Sequence, residues 1–151
     1  MQARMTNPAM LVPDAMEALQ ALGAAIGKGG VPSRTINLVL MRASQINGCS
    51  TCLVGHARSA RNDDETDDRL VALEGWRDAP FYTDAERAAL ALTESVTRLS
   101  DRSDPVPDAI WDGAANHYDE LALGTLVLAI ANINVWNRLN VATRQIAGGE
   151  W

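Results

Sequence analysis

The chain has 151 residues, 47% of them hydrophobic and 21% charged, with a formal net charge of −6. This length suits one domain with a buried core. The acidic balance argues against nucleic acid or an anionic membrane as a partner, since both require clustered Lys and Arg.

Few aromatics and no sustained apolar–polar alternation point to an all-α fold in a single helical domain spanning 1–151. The opening "MQARMTNPAM" has no apolar core of the kind a secretory signal needs. The most apolar run, starting at Leu121, falls short of the roughly 18 apolar residues expected of a spanning helix and contains Asn132 and Asn134. A cytoplasmic protein is therefore expected. In such a reducing compartment a close cysteine pair points to catalysis or metal binding rather than a permanent disulfide.

In chain order, Pro13 and Asp14 open a first amphipathic helix carrying Met16, Leu19, Leu22 and Ile26, closed by Gly29-Gly30. Pro32 starts a second, with Ile36, Val39, Leu40 and Ala43 as its apolar stripe and Asn47-Gly48 as its stop. A third runs from about Cys49 to Arg61. The acidic "NDDETDD" then forms a solvated turn leading into a short helix through Leu70 and Leu73. Thr83, with Glu86 three positions on, forms a capping box for "TDAERAALALTESVTRLS". After the turn-rich "DRSDPVP", Pro107 opens "DAIWDGAANHYDEL". A last helix extends from about Glu120 to Ala147, apolar on nearly every side and so suited to the core or a subunit interface.

Both cysteines lie in "INGCSTCLVGHARSAR". Cys49, Cys52 and His56 stand at i, i+3 and i+7 and share one helix face. Gly48 lets the backbone turn sharply, so the cysteines sit where free N–H groups and the helix dipole favour a thiolate. A thiol of pKa about 8.5 is only ~3% ionised at pH 7, and reaching ~90% takes about 3.4 kcal/mol. A helix terminus supplies about 0.3–2 kcal/mol of this. His56, charged or acting as a base through water, is the nearest second contributor. Read this way, one cysteine attacks a substrate and the other closes a disulfide on it, with Cys49, nearer the terminus, the better nucleophile. A zinc site would have three ligands at most here, with His117 in another helix. Inert buried cysteines are the plainer alternative.

The segment "LMRASQINGCSTCLVGH", Leu40 to His56, resembles the alkylhydroperoxidase D-like branch of the carboxymuconolactone decarboxylase superfamily. "RLVALEGWRDAPFYTDAERAALALTESVT" and "LAIANINVWNRLNVATR" are similar to its downstream helices, so the likeness runs from about Pro32 to Arg144. The resemblance implies an alkylhydroperoxidase D-like (AhpD-like) helical bundle assembled as a homotrimer or homohexamer. It also implies thiol peroxidase chemistry on a small hydroperoxide, with reduction by a lipoyl- or thioredoxin-like dithiol. By its motif, Cys52 is the peroxidatic thiol, Cys49 the resolving thiol and His56 part of a water-linked proton relay. Three positions depart from it. Asn37 stands where peroxidase members carry a glutamate, Thr51 where some carry a histidine, and Val54 replaces an acid.

Asn37 can hydrogen-bond but cannot take a proton, and losing a general base typically costs about 10²–10⁴ in rate. Glu94, set among the apolar neighbours of "ALALTESV", is the substitute to consider, with an exposed face as its ordinary reading. Arg42 could orient the site or form a buried pair. Asn132, Asn134, Asn137 and Asn140 require partners if the last helix is buried, while Trp111 and Trp136 read as packing or interface residues. No phosphate or dinucleotide motif is present, so neither flavin nor nicotinamide is expected as a cofactor, and no metal. Two other functions stay open. One is a decarboxylase or lactone-type enzyme using Arg42 or Arg138 to anchor an acidic ligand. The other is a non-catalytic helical oligomer that senses redox state.

Overall fold

The computed structural model describes residues 1–148; residues 149–151, the end of the expected domain, lie outside the described residues. The helices are α1 (Pro8–Leu11), α2 (Ala15–Ile26), α3 (Ser33–Asn47), α4 (Ser50–Asn62), α5 (Asp67–Ala72), α6 (Asp84–Thr97), α7 (Asp108–Ala115) and α8 (Glu120–Thr143), with a 3-10 turn at Leu73–Gly75 after α5. No strand occurs among the described residues. The expected all-α class is thus the observed one.

Helix α3 occupies the centre, packed against α4, α6 and α8, while α8 also meets α2 and α6. Its Val39 joins Leu92 of α6 with Leu126 and Ile130 of α8 in one apolar cluster. Its Leu38 and Met41 join Leu70, Leu73, Trp76 and Leu90 in a second. Fully burying each such side chain contributes about 1.5–3 kcal/mol relative to exposure. A third, smaller cluster holds Ala43, both cysteines and Ile133. The capping box is present at Thr83 and Glu86. Where α2 gives way to α3 the backbone lies close on α8: a Cβ on Gly29 would fall 1.8 Å from Thr125 Oγ1, and only glycine fits.

Three features differ from the sequence reading. A short α1 precedes α2, capped by Asn7, whose Oδ1 accepts the Ala9 N–H, and opened by Pro8; four residues are too few to show a periodicity. Helix α8 ends at Thr143 rather than Ala147, because Arg144 turns left-handed (φ 54°). The Arg144 and Gln145 N–H groups then close on Val141 O and Asn140 O, an end usually made by glycine. Finally, α8 is long and apolar enough to cross a membrane by length and composition, contrary to the expectation that it falls short. Its packing against α2, α3, α4, α6 and α7 makes it a core helix.

Glu94 is not exposed, and it lines neither of the cavities that the cysteines border. It is 8% exposed and accepts hydrogen bonds from Arg42 Nε (2.8 Å), Trp76 Nε1 (2.9 Å), Arg77 NH2 (3.0 Å) and Arg98 NH1 (3.3 Å). Arg42 is itself buried and also holds Gln45. Burial alone would raise the Glu94 pKa, but hydrogen bonds from Arg77, Trp76 and Arg42 outweigh it and bring it to about 2. This carboxylate ties α3, the 3-10 turn and α6 together. Its stabilisation is present above the unfolded-state pKa and is lost as pH falls toward about 2. Glu94→Ala strands Arg42 without its buried partner and is expected to cost about 3 kcal/mol, a Tm lowered by roughly 6–12 °C in a thermal melt.

Candidate active site

The turn between α3 and α4 is fixed by its own backbone. Gly48 is left-handed (φ 67°), and Gly48 N and Cys49 N donate to Gln45 O (3.2 Å) and Ser44 O (3.0 Å), closing α3 with both hydrogen bonds of a Schellman end. Cys49 therefore becomes the cap of α4, whose first helical residue is Ser50. Its Sγ accepts the Cys52 N–H at 3.3 Å, a contact that offers a thiolate one of the helix's free donors. The two cysteines are disulfide-bonded, with Cα atoms 5.4 Å apart.

The sulfurs face different spaces. Cys52 lines a cavity of about 610 Å³ with Met16, Gln20, His56, Ile133, Trp136 and Asn140, a volume suited to a small organic molecule. Cys49 lines another of about 730 Å³, walled by Gln2, Thr51, Arg144 and Ile146 among others. Asn140 borders both. Thr51 is buried, and its hydroxyl donates to Gln145 O at 2.8 Å, pinning the start of α4 to the chain beyond α8.

His56 shares the Cys52 cavity, and burial lowers its pKa from 6.5 to about 4. At neutral pH it is an uncharged imidazole. It cannot stabilise a thiolate as a resident cation, so of the two roles expected from the sequence only that of a base remains. Farther along the same face of α4 come Ser59 and Asp63, at the same helical spacing. Asn37 is buried and its Nδ2 donates to Asp63 Oδ2 at 2.8 Å. Both border a cavity of about 220 Å³ that shares Ser59 with the Cys52 cavity. The buried Oδ1 of Asn132, another residue on its wall, has no hydrogen-bond partner.

The structure thus brings Cys49, Cys52 and His56 together and sets Asn37 beside a carboxylate one turn past Ser59. Arg42 and Glu94 pair with each other instead. Arg138 bonds Asn134 O and Oδ1 and lines a separate cavity. His117 is exposed and lies in the turn between α7 and α8 rather than in a helix. Sequence reasoning missed Asn140, whose Nδ2 donates to Cys52 Sγ at 3.3 Å, and Trp136, which walls the cavity rather than only packing the core. Their signal was weak: Asn140 is one of four asparagines in α8. Among the described residues no group of three His, Cys, Asp or Glu side chains could hold a metal.

The profile of the carboxymuconolactone decarboxylase family matches residues 13–95. The chain is 34% identical over 132 residues to the uncharacterized protein YdfG of Bacillus subtilis, covering 87% of this chain and 88% of that one. It is similar to the crystal structure of a protein of unknown function from Agrobacterium tumefaciens, provisionally assigned to antioxidant defence as AhpD. There the TM-score is 0.90 and the identity 32%, with 99% of this chain and 100% of that one covered. The debrominase Bmp8 shares the fold, with a TM-score of 0.80 at 24% identity over 91% of this chain and 73% of its own.

A buried neutral His56 has a consequence for acid stability. Its folded-state pKa, about 4, lies below the unfolded value of 6.5, so on acidification the unfolded chain takes the proton first. The stabilisation is complete above about pH 6.5 and is lost as pH falls toward about 4. Urea midpoints at about pH 7.5 and pH 5 are expected to differ more in wild type than in His56→Gln; equal differences would contradict a neutral buried imidazole.

Proposed function

This chain belongs to the carboxymuconolactone decarboxylase family, in its alkylhydroperoxidase D-like branch, and from that premise we propose that it is a dithiol peroxidase-type oxidoreductase acting on organic hydroperoxides. The observation that carries the reading is the bonded cysteine pair with Cys52 at the wall of an apolar cavity shared with a neutral His56.

In the reduced protein, His56 accepts the Cys52 proton and the thiolate attacks the terminal oxygen of the hydroperoxide. The S–O bond forms as the O–O bond breaks. The alcohol leaves with the proton returned by His56, and Cys52 becomes a sulfenic acid. Cys49 then attacks that sulfur, the disulfide forms and water is released. An external dithiol of the lipoyl or thioredoxin-like class supplies the two electrons that reopen the bond. Met16, Ile133 and Trp136 suit the organic part of the substrate, and favour an alkyl or aryl hydroperoxide over hydrogen peroxide. Asp63, held by Asn37, supplies the carboxylate that Asn37 itself lacks.

A decarboxylase acting on an acidic ligand is less well supported, because Arg42 is already engaged by Glu94 and Gln45 and Arg138 stands outside the Cys52 cavity. An assembly of several copies suits the apolar residues exposed along α8, Leu121, Leu128 and Val135, which recur on one face.

Titrating the reduced protein with cumene hydroperoxide while counting free thiols is expected to consume both thiols in wild type and to leave no intramolecular disulfide in Cys52→Ser. Retention of both wild-type thiols under excess peroxide would refute the proposal. Asp63→Asn is expected to slow peroxide consumption by about 10²-fold in a stopped assay with dihydrolipoamide as reductant. An unchanged rate would remove Asp63 from the relay.

A further inference from the structure

We propose that Asn140 is a catalytic residue of this site: its side-chain N–H stabilises the Cys52 thiolate, and Asn7 fixes which end of the Asn140 amide faces the sulfur. This deepens the reading above and rests on Cys52 being the reacting thiol.

The geometry of the two amides leaves one arrangement. The Oδ1 of Asn7 is turned to the Ala9 N–H, which it accepts at 2.9 Å as the cap of α1, so the Asn7 NH2 faces the other way, toward Asn140. That group donates to Asn140 Oδ1 at 2.7 Å. With its oxygen so engaged, Asn140 presents Nδ2 to Cys52 Sγ, at 3.3 Å. A half-turn of the Asn140 amide would set two NH2 groups against each other and an oxygen against the sulfur's lone pairs. Asn7 is 5% exposed and Asn140 2%, so water cannot compensate the flipped state, and desolvated donors and acceptors are costly to leave unpaired.

A disulfide sulfur is a weak acceptor, whereas a thiolate carries a full charge and strengthens the hydrogen bonds it accepts. The Asn140 donor therefore favours the reduced, ionised state of Cys52 over the protonated one. Asn140 donates to that sulfur before His56 takes any proton, and it needs no proton of its own to act.

Asn7 is held by a strap over the end of α8. Arg4 N donates to Thr143 O (2.9 Å), Arg4 NH1 to Ala142 O (3.0 Å) and Gln145 Nε2 to Met5 O (2.9 Å). The segment before α1 thus controls an amide that touches the reacting atom without reaching that atom itself.

The test measures alkylation of the reduced full-length chain by iodoacetamide between about pH 5 and 10, with the label located on Cys52 by fragment mass spectrometry. Asn140→Leu, of similar shape but without donors, is expected to raise the Cys52 pKa by about one, a tenfold smaller thiolate fraction below that pKa. Asn7→Ala, which touches neither sulfur, is expected to raise it by less. Thr125→Val, which loses a buried hydrogen bond from the same helix but neither a sulfur contact nor a bond to the cysteine turn, is expected to leave it where it is. A folded Asn140→Leu with the wild-type pKa overturns the inference, as does an equal shift in Thr125→Val. If Asn140→Leu does not fold, an unchanged pKa in Asn7→Ala overturns it. Hydroperoxide turnover on the same preparations is read separately: a wild type that consumes none refutes the peroxidase reading and leaves the thiolate result standing on its own.

Discussion

The placement of the cysteines depends on one constraint: an amide buried in an apolar helix must find a partner or bear the cost of its lost hydration. Helix α8 carries asparagines on its buried side, and the partners of three of them include the end of α3 and the start of α4. Asn47 Nδ2 donates to both Asn134 Oδ1 and Asn137 Oδ1 at 2.9 Å, and Asn137 Nδ2 donates to Ser44 Oγ at 3.0 Å. One turn on, Asn140 reaches Cys52. These bonds seat the Gly48 turn on α8, and with it the cap of α4. Apolar contacts alone would leave that register far less determined, because hydrophobic burial has no direction.

No Asp, Glu, Lys or Arg side chain lines the Cys52 cavity. The buried ion pairs gather elsewhere, around Glu94 and around Glu65 with its two arginine partners, while Cys52 is surrounded by Met16, Ile133, Trp136 and an uncharged imidazole. Before His56 takes a proton no cation lines that cavity, and on the proposed reading the developing thiolate is met by oriented dipoles, namely the first turn of α4 and the Asn140 amide, which act without reorganising as charge develops.

The same separation bears on chemistry. An apolar cavity beside one sulfur and a second cavity beside the other give the dithiol two approaches, with Asn140 between them. On the proposed reading, the hydroperoxide would meet Cys52 on one side while Cys49 is reached from the other. The 220 Å³ space bordered by Asp63, Asn37 and Ser59 continues this face of α4 beyond the Cys52 cavity.

The sequence by itself determined the elements and the motif. Helical periodicity, the Thr83–Glu86 box, the glycine stop at Gly48 and the i, i+3, i+7 alignment of Cys49, Cys52 and His56 are local properties, set within a few turns of chain. The short α1 and the left-handed Arg144 escaped it, the first because four residues carry no period and the second because an arginine is an uncommon helix end. Only the tertiary structure decided what Glu94 and Asn37 do, which sulfur faces the apolar cavity, and that Asn140 and Trp136 stand beside it. These are contacts between segments far apart in the chain: Asn140 and Cys52 are 88 positions apart, and Arg42 and Glu94 are 52. The same side chains could as well have faced solvent, and burial against a distant partner is a property of the packed fold rather than of any one stretch of sequence.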